Sequence, residues 1–236
     1  MNKILTLAQK ELTGYFKSPV AYIILIVTLS IFHIFFYMII EENREATLRD
    51  VFLVMEFMFV FLVPLLTMRI FAEEKSAGTM EFLMTTPTSP TAIVLGKYLG
   101  SLIFFSLILL MTGVYYALIE CFGRPDRVAA LTGFLGVWLE GALFVAVGIL
   151  ASSWTRSQVV AALSSYLILF MLYFSASFIK YVGGPLQPVI HYVSTSNHAA
   201  NFSVGLITIS DFVYYVSGIL FCLILTRAGI DNRLWR

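Results

Sequence analysis

Two carboxylates stand inside long apolar runs of this sequence. Glu56 interrupts the run Val51–Met68, and Glu140 interrupts the run Ala129–Trp154. An ionised side chain at membrane depth costs at least about 2.5 kcal/mol, so such groups usually face a cavity or a partner. The two acids could line a path, bind a cation, or carry a proton and hydrogen-bond between helices. The sequence slightly favours the interhelical role for Glu56 and leaves the alternatives for Glu140 open.

Histidine is scarce, and its positions favour structural roles. His33 lies in an uncharged apolar run, where a neutral, hydrogen-bonded helix residue is a more common outcome than a ligand or a pathway group. His191 and His198 are seven residues apart, a spacing that aligns two side chains on a helix less well than three or four. No cysteine or carboxylate cluster completes a metal-ligand set around them, so no metal site is expected.

The chain lacks a motif with which to bind ATP. A P-loop requires Gly-x-x-x-x-Gly-Lys-Ser/Thr, because its backbone N–H groups cradle the phosphates. The only Gly-Lys pair, Gly96–Lys97, is followed by Tyr98, and Thr91 stands where the other glycine is needed. Gly-x-Ser-x-Gly and His-Glu-x-x-His do not occur in the sequence either. We therefore expect no catalytic residue and no cofactor in this chain.

The composition is that of a membrane protein. Of 236 residues, 59% are hydrophobic and 12% are charged, against roughly a quarter charged in soluble domains. Mean hydropathy is +0.89, and a soluble domain of this length would need far more polar surface. The formal net charge of +1 provides no basic footprint for nucleic acid. These values exclude a soluble globular protein, a disordered chain and a nucleic-acid-binding module.

Six runs are long enough to cross a bilayer as helices. A hydrocarbon core of about 30 Å takes about 20 apolar residues, and the runs are continuously apolar rather than alternating, which excludes a transmembrane β-barrel. The sequence thus predicts an all-α integral membrane protein whose residues 1–236 form a single transmembrane domain. The six predicted spans are Val20–Ile40, Val51–Met68, Ala92–Ile119, Ala129–Trp154, Val159–Ile179 and Phe212–Thr226.

Lysine and arginine are distributed unequally between the two sides that six spans define. An even number of spans places both termini on one side, and positive residues collect in cytoplasmic segments. One side carries ten such residues and the other five, so both termini are predicted to be cytoplasmic. The ten are Lys3, Lys10, Lys17, Arg69, Lys75, Lys97, Arg156, Arg227, Arg233 and Arg236; the five are Arg44, Arg49, Arg124, Arg127 and Lys180.

Two segments outside the spans have membrane-interface character. Residues 1–19 place apolar side chains at helical spacing, which predicts an amphipathic helix in the cytoplasmic interface that ends near Pro19. A plain helical extension of the first span is the alternative. The external segment Lys180–Asp211 keeps apolar residues between Gly/Pro turns, a composition that suits short helices dipping into the outer leaflet.

The cytoplasmic segment Arg69–Thr91 combines charged and apolar side chains. Its acidic start leads into the apolar patch Phe82–Leu83–Met84 and then into a turn-rich stretch with Pro87 and Pro90. A compact unit of this kind at the inner face of a membrane is typical of a docking element. The alternative is a solvated loop whose charges only obey membrane topology.

Small residues recur along two of the spans. Ala92, Gly96 and Gly100 are four apart on the third span. Small-x-x-x-small faces let helices approach closely in lipid, and packing within one subunit is favoured over a dimer interface. On the fourth span the glycines are Gly133, Gly136, Gly141 and Gly148.

The sequence from Phe71 to Gly100, FAEEKSAGTMEFLMTTPTSPTAIVLGKYLG, resembles the segment after the second span in type-2 ABC transporter permeases. The six spans, the start QKEL..YFKSP, the long outer loop and the ending GLITISDFVYY…LTRAGIDNRLWR agree with that family over essentially the whole chain. Within the family the chain is most similar to the gliding-motility-type and nitrous-oxide-reductase-maturation-type permease subunits.

The resemblance implies the permease half of an ABC exporter, or of a mechanically coupled ABC complex, in the plasma (inner) membrane. Such permeases pair with a second permease copy or paralogue, and ABC ATPase subunits that bind ATP and Mg dock on their cytoplasmic face. An accessory extracytoplasmic protein would be a further partner, and the outer loop would form re-entrant helices that close the exit. By position, the ATPase-coupling residues would be Glu73, Glu74, Lys75, Gly78, Thr79 and Glu81.

Two other functions stay open on the residues alone. An intramembrane protease of one kind would need the pair Glu73–Glu74 to be followed by Arg, where this sequence has Lys75, and to lie deep in a span near histidines. A passive membrane anchor fits the composition but leaves the cytoplasmic segment unexplained.

Overall fold

The regular structure of the described residues is entirely α-helical. The computed structural model describes residues 3–43, 45–85, 88–178 and 187–234. The helices are α1 Lys3–Lys17, α2 Pro19–Asn43, α3 Arg49–Thr67, α4 Arg69–Ser76, α5 Thr79–Thr85, α6 Pro90–Phe122, α7 Arg127–Trp154, α8 Gln158–Phe178, α9 Gln187–Val193, α10 Thr195–Ser203 and α11 Ile209–Leu234.

Six stretches of helix are long and apolar enough to cross a membrane: α2, α3 with its continuation α4, α6, α7, α8 and α11. This confirms the predicted all-α integral membrane protein with six spans. The spans differ in position, because 83% of the most apolar window of α7 is buried, against 17% in α2 and 22% in α8. The fourth span is therefore the centre of the bundle, and the first and fifth are peripheral.

Each predicted span lies within one helix, apart from Met68, which stands between α3 and α4, and Ile179, which lies outside the described residues. The largest difference is at the end of α11, which continues to Leu234, well beyond the predicted end at Thr226. Arg227 Nε lies 3.4 Å from Asp231 Oδ2 one turn later, and such i,i+4 pairs support a helix that leaves the apolar layer. The length of the apolar run therefore underestimates the length of this helix.

The N-terminal segment is a separate helix that packs on the third span. α1 ends at Lys17 and α2 begins at Pro19, because proline suits the first position of a helix and not its interior. A Cβ atom on Gly96 would lie 2.5 Å from Leu7 Cβ, and one on Gly100 would lie 2.9 Å from the Ala8 carbonyl oxygen. The small-residue face of α6 thus receives α1, and the alternative of a plain extension of the first span is wrong.

The glycines of α7 admit side chains of neighbouring helices in the same way. Added Cβ atoms would lie 2.1 Å from the Phe52 ring at Gly133 and 2.0 Å from the Phe105 ring at Gly141. At Gly148 the nearest atom is Thr67 Oγ1, also 2.0 Å away. The prediction that these small residues serve packing within one subunit is confirmed.

α9 and α10 form a helical hairpin that enters the bundle. At its tip, the Ser196 hydroxyl donates to the Tyr173 carbonyl oxygen at 3.2 Å, and Tyr173 lies about 8 Å below the end of α8 at 1.5 Å per residue. From there α10 returns along α7, where the Thr132 hydroxyl donates to the Phe202 carbonyl oxygen at 2.8 Å. The hairpin is re-entrant, because its tip lies below the end of α8 and α10 then turns back toward the start of α7. Residues 180–186 of the predicted external segment lie outside the described residues.

Candidate functional site

The predicted cytoplasmic segment folds into a second short helical hairpin, α4 and α5. Gly78 joins the two helices with φ +69°, a left-handed conformation that glycine adopts without steric cost. Ser89 then caps α6, its side chain accepting from the backbone N–H of Ala92 at 3.3 Å, and Pro90 opens the helix. Of the predicted turn-rich stretch, Thr86 and Pro87 lie outside the described residues.

A buried lysine joins three helices beside this hairpin. Lys97 on α6 is 1% exposed. Its Nζ lies 2.8 Å from Glu11 Oε1 on α1 and 2.9 Å from Glu74 Oε1 on α4. The same ammonium donates to the Ile70 carbonyl oxygen at 3.0 Å and lies 5.2 Å from the centre of the Phe71 ring. We call Lys97, Glu11 and Glu74 the junction triad, and the end of the bundle where it lies the α1 end.

The junction triad is partly shielded from water, which makes its pairing strong. The Glu11 and Glu74 side chains are only 17% and 18% exposed, and Lys10 Nζ adds a second cation 3.6 Å from Glu74. Removing one partner of a buried ion pair leaves an uncompensated charge and costs about 3 to 5 kcal/mol. α1, α4 and α6 are therefore held together as one unit at this end.

A serine of the central span fixes the start of α4. Ser152 Oγ accepts from the backbone N–H groups of Phe71 and Ala72, each at 3.1 Å, and donates to the Met68 carbonyl oxygen at 2.9 Å. The first N–H groups of a helix have no partners within it, and here a residue from α7 supplies one. The Lys75 ammonium donates to the Ser153 carbonyl oxygen close by. α4 is thus bound to α7 as well.

Tyr15 connects α1 to the end of the second span. Its hydroxyl donates to the Leu66 carbonyl oxygen at 3.0 Å, and burial raises the pKa of Tyr15 to about 12, so this donor stays protonated at neutral pH. The Arg69 guanidinium lies 4.9 Å from the centre of the Tyr15 ring and donates to Ser18 Oγ at 2.7 Å. These two contacts of Arg69 hold α1 against α4 at the α1 end.

The structure divides the six predicted coupling residues into two groups. Glu74 and Lys75 point inward, to Lys97 and to the end of α7. The others are exposed, as is Phe82, with 75% of its surface accessible. We call the five exposed residues the docking face, after the docking element that the sequence predicts: Glu73, Gly78, Thr79, Glu81 and Phe82.

The docking face adjoins a cleft of about 360 Å³ between α1 and α4. Its lining includes Lys10 and Gly14 from α1 and Arg69 and Glu73 from α4. A partner that contacts the docking face would therefore also meet charges of both signs. The side chains of Leu83 and Met84, the rest of the predicted apolar patch, lie outside the described part of the structure.

The intramembrane residues singled out in the sequence do not form one group. Glu56 and Glu140 are each 1% exposed on packed faces of α3 and α7, and both lie between the contacts that Phe52 makes with Gly133 and Thr67 makes with Gly148. His33 instead lies exposed on α2, its ring centre 6.3 Å from that of Tyr115. The structure thus brings the two acids together and places His33 apart from them.

A buried histidine–aspartate pair was not predicted. His198 Nδ1 on α10 lies 2.6 Å from Asp211 Oδ1 on α11, and the Asn201 amide donates to Asp211 Oδ2 at 2.8 Å. His198 Nε2 lies 2.9 Å from the Tyr192 carbonyl oxygen. His191 takes no part in this pair; its carbonyl accepts from a neighbouring amide. Across the described ranges, no three His, Cys, Asp or Glu side chains are grouped as a metal site requires.

The contacts of Lys97 and Ser152 were not predicted, because the sequence near these residues hardly indicates their partners. A lysine near the start of an apolar span needs a partner, but Glu11 and Glu74 are distant from Lys97 along the chain. Ser152 is an ordinary small residue of an apolar helix, and nothing near it in the sequence indicates the α4 backbone. Only helix packing identifies these partners.

Comparison with known proteins agrees with this architecture. Residues 5–217 match the family model described as ABC-2 family transporter protein. The match includes α1, both helical hairpins and most of the six spans. No curated protein matches the chain. With a family match over most of its length and six helices able to span a membrane, this chain belongs to the ABC-2 family transporter proteins and is a multi-pass permease subunit of an ABC transporter.

Proposed function

We propose that ATP hydrolysis in separate ABC ATPase subunits drives this permease through the docking face. The observation that carries the proposal is the junction triad, which ties the exposed α4–α5 hairpin to α1 and α6 through a buried lysine. A solvated loop would need no such anchoring. ATP and Mg would be bound by the partner, and this chain would contribute no catalytic group.

The contacts of α4 suggest how a push would reach the spans. α4 directly continues α3, with the Met68 N–H donating to the Pro64 carbonyl oxygen at 2.9 Å. Any shift of α4 that parted Glu74 from Lys97 would take from the buried ammonium one of its two carboxylate partners, which is unfavourable. The less costly response is movement of α1, α4 and α6 as a unit. Because α4 is also bound to the end of α7, the movement would reach the central span and open or close a path.

The finer assignments follow the resemblance and the charge distribution. We propose that the α1 end faces the cytoplasm, with both termini there and the protein in the plasma (inner) membrane. A second copy or a paralogue would complete the membrane unit, with an accessory extracytoplasmic protein as a further candidate partner. The gliding-motility-type or nitrous-oxide-reductase-maturation-type complex is the proposed setting.

The proposed docking is tested by pull-down from the native membrane in mild detergent, followed by an ATPase assay. We expect ATPase activity to co-elute with the wild-type chain and with Glu120→Gln, a change at a surface ion pair with Arg127 at the opposite end of α6. The double variant Glu73→Ala with Phe82→Ala should lose at least about tenfold of that activity, because it removes exposed contacts. Wild-type levels in the double variant would contradict docking at this face.

A second variant separates docking from coupling. Glu74→Gln weakens the junction triad but leaves the docking face intact. We expect it to retain co-eluting ATPase subunits while it loses ATP-dependent function of the complex. If it loses the ATPase subunits as readily as the double variant does, the inward role of Glu74 is wrong.

The intramembrane-protease alternative finds no support in the geometry. Glu73 is exposed while Glu74 is paired with Lys97, so the two carboxylates do not share one water-binding site. The passive-anchor alternative would be supported if the chain eluted without any ATPase activity in the same pull-down.

A further inference from the structure

Glu56 and Glu140 lie in the interior of the bundle, away from both ends. Glu140 is 13 residues into α7, about 20 Å along its axis at 1.5 Å per residue. Glu56 lies on α3, which packs against α7, and each acid is 1% exposed. Phe52 of α3 lies against Gly133 of α7 and Thr67 lies against Gly148, so the two helices run side by side and both acids lie between these two contacts. Two acids therefore share one water-poor region.

The oxygen atoms of this region lack partners. Glu56 Oε2, both carboxyl oxygens of Glu140 and Thr195 Oγ1 are buried and make no hydrogen bond. Thr195, the first residue of α10, is 0% exposed, and its hydroxyl approaches Glu140 without completing a hydrogen bond. Buried polar atoms are satisfied in the great majority of cases, so this group of oxygens from three helices needs a hydrogen-bond donor that the surrounding side chains do not supply.

In the described part of the chain, no positive side chain pairs with either acid. The titratable groups near the two acids include four tyrosines: Tyr98 on α6, whose hydroxyl donates to the Ala142 carbonyl oxygen at 3.4 Å, Tyr173 on α8, and Tyr214 and Tyr215 on α11. The Tyr215 hydroxyl donates to the Thr195 carbonyl oxygen at 3.0 Å, and the Tyr214 hydroxyl to the Val193 carbonyl oxygen at 2.6 Å. The hydroxyl protons of these two tyrosines are therefore already donated to carbonyl oxygens of the re-entrant hairpin.

Two adjacent carboxylates cannot both stay ionised in such a place. Their mutual repulsion adds to the cost of burying each charge, so one positive charge must accompany the pair. The described residues offer no third His, Cys, Asp or Glu for a metal ion. A proton needs only two oxygen atoms. We propose that Glu56, Glu140 and Thr195 form a proton-binding site, in which one proton is held between the two carboxyl groups.

The re-entrant hairpin is placed to respond to this proton. The first N–H groups of α10 have no partners within the helix, and the N-terminal end of a helix carries partial positive charge. That end, at Thr195, faces Glu140. Loss of the proton would double the negative charge facing the tip of α10. This inference does not rest on ATPase docking, because all its members lie away from the α1 end.

Infrared spectroscopy tests for the proton directly, on the full chain in lipid nanodiscs. Wild type at neutral pH should show the carbonyl stretch of a buried protonated carboxylic acid. The double variant Glu56→Gln with Glu140→Gln should lose that band, while the matched control Glu120→Gln should keep it. Absence of the band from wild type, or its persistence in the double variant, would overturn the proposal.

Thermal unfolding distinguishes a proton from a sodium ion and does not need the double variant to fold. As pH rises from about 6 to about 9, wild type should lose stability, because the folded state holds a proton that the unfolded state has already released. Glu140→Gln, which keeps the shape without a second acid, should show at most about half of the wild-type shift in melting temperature. If the melting temperature changes with sodium concentration at constant pH, and does not change with pH at constant sodium, the site binds sodium instead of a proton. That outcome would overturn the proposal.

Thr195→Val provides the test of the third member. It keeps the shape of the side chain and removes the hydroxyl, so we expect the infrared band to remain but to shift in frequency. A band identical to that of wild type would remove Thr195 from the site.

Discussion

Lys97 Nζ lies 2.9 Å from Glu74 Oε1. This ion pair joins the first turns of the third span to α4, the helix that continues the second span. Glu11 approaches the same ammonium from α1 at 2.8 Å. A single buried cation thus connects three helices that are far apart in sequence. In an ATP-driven permease, such a joint would let force applied outside the membrane reach more than one span.

The first prediction concerns the unequal roles of the triad members. Lys97→Met leaves two partly buried carboxylates facing each other and should lower the free energy of unfolding by about 3 kcal/mol. Glu74→Gln leaves Lys97 with Glu11 and the Ile70 carbonyl, so its cost should be nearer about 1 kcal/mol. Thermal or denaturant unfolding in detergent measures both. Equal losses would show that Lys97 does not hold the junction.

The second prediction uses two glycines on the same helix. Gly100→Ala should destabilise the protein by about 2 kcal/mol, because its Cβ would lie 2.9 Å from the Ala8 carbonyl oxygen and force α1 away. Gly113→Ala has nothing within 4 Å of its Cβ and should be neutral or stabilising by up to about 1 kcal/mol. Limited proteolysis after α1 provides a second measurement. Identical behaviour of the two variants would contradict the close packing of α1 on α6.

The third prediction concerns the re-entrant hairpin. Asp211→Ala removes the acceptor of both His198 and Asn201 and should release α10 from α11. We expect faster amide hydrogen exchange in residues 187–203, while the spans keep their protection. Asp231→Ala, at an exposed pair on the same helix, is the matched control and should leave the exchange unchanged. Unchanged exchange in Asp211→Ala would show that the contacts of Asp211 with His198 and Asn201 do not hold the hairpin.

The fourth prediction is a pH dependence at Tyr15. Its pKa is raised to about 12 by burial, above the usual value of about 10 in an unfolded chain. The folded state therefore binds this proton more tightly, and the stability it contributes is complete below about pH 10 and declines toward about pH 12. Tyr15→Phe lacks this term, so the difference in stability between wild type and variant should shrink over that range. A difference that stays constant from about pH 10 to about pH 12 would contradict this assignment.

The membrane architecture was predictable because apolarity is a local property. Each long apolar run becomes one helix whatever it packs against, since a backbone in lipid must satisfy its hydrogen bonds within the segment. Pro19 likewise separates α1 from α2 by its own chemistry. The segment Arg69–Thr91 was recognisable from its residues, and the glycine faces of the third and fourth spans indicated close packing.

The sequence by itself determined the six spans, the separate N-terminal helix and the family. Only the tertiary structure decided which charges meet. Glu73 and Glu74 are adjacent in sequence, yet one is exposed and the other reaches Lys97, because successive residues on a helix point about 100° apart. The proximity of Glu56 to Glu140 and of His198 to Asp211 depends on which helix faces pack together. Pairing of buried charges is a property of that packing, and no local pattern in the chain encodes it.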